Sequence, residues 1–93
     1  MDFAQSAKMI KLSNTGSDEF YSFVLSHIDS FNVVQMDMLM NCVDLEGVDE
    51  HRDFFETVYE KFVDKIDKAQ FRAQLRFDVL AQMLGKFKGE NHE

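Results

Sequence analysis

The sequence predicts an all-α protein, a small helical bundle of four to five helices with the last one or two long and amphipathic. Three observations carry that expectation. Between Asp49 and Lys88, forty residues hold one glycine and no proline. Along them Phe55, Tyr59, Phe62, Ile66, Ala69, Ala73, Phe77, Leu80, Leu84 and Phe87 recur at steps of three or four, which places them on one helical seam. A basic row (Lys61, Lys65, Lys68, Arg72, Arg76) and an acidic row (Asp53, Glu56, Glu60, Asp64, Asp67) keep the same period beside it.

The 93 residues are enough for one core and too few for two, so the chain reads as a single helical domain, 1–93. Within it the expected parts are a short N-terminal helix (1–12), a loop (13–17), a helical body (18–88) and a frayed tail (89–93). The first helix follows from Asp2 and Gln5, spaced as a capping box, with Phe3, Ala7 and Ile10 sharing a face. Ser13-Asn14-Thr15-Gly16-Ser17 is the clearest loop. The second helix should start at Thr15 or Ser17, where Asp18 and Glu19 favour the positive end of the dipole. Its main face is Phe20, Val24, Ile28 and Phe31, with His27 inside it as a hydrogen-bonded structural residue that can respond to pH.

Asn32 and Gln35 form a second candidate capping box, opening the most apolar segment: Val33, Val34, Met36, Met38, Leu39, Met40, Cys42, Val43 and Leu45. Polar residues interrupt it only at Asp37, Asn41 and Asp44, four and then three apart. A helix wetted along one narrow ridge is either the centre of the bundle or part of a subunit interface. Gly47 is expected to end this helix and Asp49 to cap the next. A continuous helix over 50–88 would span about 58 Å, several times the ~12 Å radius of gyration of a domain this size. A bend or short break near Ile66 to Ala69 is therefore expected, with Asp67 and Gln70 as candidate caps. Gly85 and Gly89 flank the end of the last helix, where Lys86 and Lys88 suit its dipole.

Composition narrows the function classes. Ten Phe and six Met stand with no Trp and no Pro, a choice that favours buried bulk and adaptable apolar surface. The single Cys42 has no partner for a disulfide and reads as a small buried hydrophobe in a reducing compartment. No apolar run reaches the length of a signal-peptide core or of a membrane span, so the expected location is cytoplasmic, with no membrane partner. Formal charge is −7 but uneven: residues 1–60 carry twelve acids and three bases (−9), residues 61–93 five acids and seven bases (+2). That balance disfavours general nucleic-acid binding, which needs clustered cations on a surface that does not repel phosphate.

Motifs for catalysis are absent: no glycine-rich phosphate loop, no cysteine pair, no HExxH, no nucleophile elbow. Asp44, Glu46 and Gly47 lack EF-hand spacing, and neither His27 nor His51 has the Glu three residues earlier that a di-metal bundle requires. No catalytic residue, metal ligand or cofactor is expected. Surplus apolar surface points instead to a protein partner or a homo-oligomer, with a dimer favoured. The expected interface residues are Met36, Leu39, Met40, Val43, Phe71, Leu75 and Val79; the expected charged surface is Asp53, Glu56, Glu60, Lys68, Arg72 and Arg76. An adaptor, an assembly subunit or an inhibitor, of a nucleic-acid-handling protein for example, fits this pattern. The alternative is a nucleic-acid accessory protein whose dimer aligns the basic row from Lys61 to Arg76.

Overall fold

A computed structural model describes residues 1–15 and 18–86 of the chain. Five helices and no strand are found among them: α1 (Phe3–Ser13), α2 (Asp18–His27), α3 (Val33–Cys42), α4 (Arg52–Phe62) and α5 (Phe71–Met83). Three 3₁₀ turns, Ile28–Ser30, Leu45–Gly47 and Ile66–Lys68, follow α2, α3 and α4. The all-α expectation holds, and the Cα radius of gyration is 12.9 Å. Ser17, expected to cap α2, and the tail from Phe87 onward lie outside the described residues.

Both capping boxes form, and each glutamine does double duty. Asp2 accepts the Gln5 backbone N–H at 2.9 Å and Gln5 Oε1 accepts the Asp2 N–H at 3.0 Å. Asn32 and Gln35 repeat the exchange at 2.9 and 3.1 Å. The carbonyl end of Gln35 is thus committed to α3, and its Nε2 reaches back to the Met1 carbonyl at 2.6 Å, tying the chain's start to the bundle.

α3 is the centre. It packs against α1 on one side and α5 on the other, and Met36, Leu39 and Met40 are fully buried. Gly47 does not end it. The helix stops at Cys42, Val43 is extended, and Asp44 caps the separate 3₁₀ turn by accepting the Glu46 N–H at 3.0 Å. Nor does Asp49 cap α4: His51 occupies that position without a side-chain hydrogen bond, and Asp49 lies in the preceding turn.

The expected break between the last two helices is real, at 63–70. Ala69 and Gln70 are extended, and the carbonyls of Asp67 and Ala69 are taken by Gln74 Nε2 at 3.0 and 2.8 Å. Neither Asp67 nor Gln70 supplies the side-chain cap. Asp37, buried on the polar ridge of α3, accepts the Gln70 N–H at 3.2 Å from 33 positions away. The reversal folds α5 back onto α3 and α4, so Phe55, Phe62, Phe77 and Leu80 share one core, with Tyr59 stacked on Phe77 at 5.2 Å. α5 then ends in a Schellman motif. Gly85 takes φ +75°, its N–H meets the Gln82 carbonyl at 3.0 Å, and the Lys86 N–H meets the Ala81 carbonyl at 2.7 Å. The helix therefore stops at Met83, short of Lys88.

Candidate interaction surface

α5 is apolar on two opposite faces. Ala73, Phe77, Leu80, Ala81 and Leu84 point into the core. Phe71, Leu75, Val79 and Met83, four residues apart along the other face, are 73, 49, 45 and 43 % exposed. At 100° per residue this row turns through only 40° per step, so it stays on the solvent side for the length of the helix. These fractions amount to about two whole side chains, roughly 400 Å² if each covers ~200 Å². That lies within the ~300–600 Å² of the largest patch on a typical monomer.

The structure divides the expected interface. Phe71, Leu75 and Val79 are at the surface, as the second apolar row required. Met36, Leu39, Met40 and Val43 are not: they are 0–3 % exposed and form the heart of the core. The segment is apolar nearly all round because α1, α5 and the 3₁₀ turn Ile66–Lys68 enclose it, which is the central-helix outcome rather than the interface one. Met83 was missed, although its four-residue step from Val79 was visible. Phe3, Ala7 and Ile10 do share a face, but it is the outer one. Ser6 and Met9 turn inward, and Phe3 is 89 % exposed.

The basic row is also divided, and helix ends explain how. The last carbonyls of an α-helix lack internal partners and carry partial negative charge. Arg76, half-buried, donates Nε to the Met40 carbonyl and Nη2 to the Val43 carbonyl at 2.5 Å, so it closes the end of α3 instead of facing solvent. Lys65 Nζ lies 3.4 Å from the Phe31 carbonyl after α2, and Arg52 Nη2 lies 3.4 Å from the Leu84 carbonyl after α5. Lys61 pairs with Asp29 at 2.6 Å, with both side chains exposed. The side chains of Lys68 and Arg72 are exposed and, among the described residues, make no hydrogen bond or ion pair. Of the acids, Asp53 and Glu60 are exposed and Glu56 pairs with Arg52 at 3.3 Å.

A separate, concave feature lies between α1, α2, the end of α3 and the turn before α4. It is a cleft of about 200 Å³ lined by Ser13, Phe20, Tyr21, Cys42, Asp44, Gly47, Glu50 and His51. The Tyr21 and His51 rings stack at 4.1 Å. Burial, then the charges of Asp44, Glu50 and Asp18, push the Tyr21 phenol above its ordinary value. Burial likewise pushes the Cys42 thiol up, against smaller opposing effects of a Ser13 hydrogen bond and of Arg76. A thiol held in its protonated form is a poor nucleophile, so the cleft does not assemble an activated cysteine. Among the described residues no three His, Cys, Asp or Glu side chains converge to hold a metal ion, and no helix is long and apolar enough to cross a membrane.

Comparison with models of protein families, with curated proteins and with solved structures finds no match for this chain.

Proposed function

We infer that the chain is a non-enzymatic protein-interaction module that receives a helix along the outer face of α5, and that the helix is α5 of a second copy. The observation that carries this is the solvent-facing row Phe71, Leu75, Val79, Met83. A four-residue row is the ridge that packs against a like ridge at a crossing of about −50°, the commonest helix pairing. Charge favours a second copy on this face above the others. The exposed charges of α5 are Arg72 and Asp78, which cancel, whereas the rest of a chain of charge −7 repels its own kind. The acidic surface of α4, including Asp53 and Glu60, stays free in such a dimer for a basic protein, the role an adaptor, assembly subunit or inhibitor would use. A cytoplasmic location belongs to the same reading, supported by a lone cysteine with no partner in the chain.

Roughly 400 Å² of apolar area is about half of the ~800 Å² that each partner contributes to a standard stable complex. The dimer should therefore be weak and dependent on concentration. Sedimentation velocity from about 10 μM to 1 mM should show the mean mass rising towards twice the chain mass, and Leu75→Asp should hold it at one. A single monomeric species across that range would overturn self-pairing. The nucleic-acid alternative retains only Lys68 and Arg72 as free cations of its row of five. Salt-sensitive binding to a duplex, lost in Lys68→Glu with Arg72→Glu, would restore it.

A further inference from the structure

Donor and acceptor accounting at the junction of α1 and α2 selects one arrangement of ring protons on His27. Gln5 Oε1 is occupied by the Asp2 N–H of the capping box, so its amide nitrogen must point the other way. There it lies 3.3 Å from His27 Nε2. A carboxamide nitrogen only donates, so His27 Nε2 must be the bare, accepting ring nitrogen. The ring proton then sits on Nδ1, which donates to the Phe23 carbonyl at 2.9 Å. Every group is satisfied, but only for a neutral ring.

A second proton on the ring converts Nε2 from acceptor to donor and sets it against the Gln5 N–H. Gln5 can offer its oxygen only by turning its amide over, which releases the Asp2 N–H and opens the capping box. We propose that His27 is a pH-sensitive clamp on α1: the neutral ring holds the N-terminal helix to α2, and protonation loosens it. α1 is the right element for such a device. It buries only Ser6 and Met9. A further polar anchor, Gln35 Nε2 on the Met1 carbonyl and 3.5 Å from Ser6 Oγ, does not titrate.

The charged groups around this corner are engaged with other partners. From α1, the Asp2 carboxylate accepts the Gln5 backbone N–H, and Lys8 stands 5.4 Å over the Phe23 ring that flanks His27 at 4.5 Å. After α2, Asp29 is paired with Lys61. Loosening α1 draws Met9, fully buried in the closed form, out of the core.

Two measurements test the clamp on the intact chain. Nitrogen chemical shifts of the His27 ring at pH 8 should report the Nδ1–H tautomer; the Nε2–H tautomer would overturn the proposal. Amide exchange in α1, corrected for intrinsic rates and referenced to α3, should show opening about three- to tenfold more frequent at pH 5.5 than at pH 8, the size expected for one hydrogen bond. His27→Gln keeps an acceptor facing Gln5 without a titrating ring, so it should abolish the response, while His51→Asn should keep it. Gln5→Glu supplies a carboxylate that accepts from both the Asp2 N–H and a protonated His27, so the response should change sign. A pH response that persists in His27→Gln, or that keeps its sign in Gln5→Glu, would overturn the clamp.

Discussion

α3 and α5 are both rich in apolar side chains, yet they stand differently in the bundle. α3 is covered on nearly every side, and even its ridge residue Asp37 is only 8 % exposed. α5 is covered on one side and leaves Phe71 73 % exposed on the other. The difference lies in position, not composition. α3 sits between α1 and α5, whereas α5 is the outer layer, held by α3 and α4 beneath it. A helix apolar all round is informative only once its neighbours are counted: in α3 the excess is consumed inside the chain except at Val34 in its first turn, 66 % exposed, and in α5 a whole row remains for another molecule.

Truncation is the strongest way to test that difference. Leu39→Ala should cost about 2–5 kcal/mol, because a fully buried leucine loses its transfer energy and leaves a cavity. Leu75→Ala, from the half-exposed row, should cost less than about 1 kcal/mol, both losses being read from urea melts. Equal losses at the two sites would mean that α5 is covered in the isolated chain. Leu39→Asp should not fold, whereas Leu75→Asp should keep its helical circular dichroism and lose only self-association.

Arg76 joins the two helices and should rank next. Replacing it with Met keeps the length of the stem but leaves the Met40 and Val43 carbonyls without their charged donor, at about 1–3 kcal/mol. Arg76→Lys should recover only part of that, since one ammonium does not reproduce the two-pronged contact. Exchange should rise first at the end of α3, not in α5. If Arg76→Met is neutral in a urea melt, the contact is ornamental and the arginine would be free for a ligand after all.

These sites also show what the sequence made legible. Both capping boxes were readable because donor and acceptor lie three residues apart. The seam from Phe55 to Leu84 and the break near residue 66 followed from period and from the size of the domain. The caps at long range were not readable. Asp37 closing the start of α5 and Arg76 closing the end of α3 join residues more than 30 positions apart, and no local pattern marks them. For the same reason Arg76 read as surface, and Met36 to Val43 read as a candidate interface. On α1 the face Phe3, Ala7, Ile10 was correctly grouped but turned outward. Met9 takes the core side, with Ser6 near Gln35 Nε2 at 3.5 Å, a choice fixed by neighbours elsewhere in the chain.

The smallest expected effect tests whether the cover over α3 reaches its last turn. Cys42 ends that helix beside the cleft, and burial raises its thiol above the ordinary value. A folded chain that holds the proton longer than the unfolded one binds more protons at alkaline pH, so stability must fall as pH rises through that range. The contribution is complete below the unfolded thiol's titration, near pH 8.5, and is lost as pH climbs through the folded value. Tyr21 adds a loss of the same sign, beginning nearer pH 10, because burial and the acids around it raise the phenol too. Urea midpoints of the unmodified chain should therefore decline from pH 8 to pH 10.5. Cys42→Ala should flatten the lower part of the decline and Tyr21→Phe the upper part. At pH 8, Cys42 should also react with a disulfide reagent several-fold more slowly than in the urea-unfolded chain. A thiol that reacts equally fast in both states would show the end of α3 open to solvent, and the contrast with α5 would then hold only for the middle of the helix.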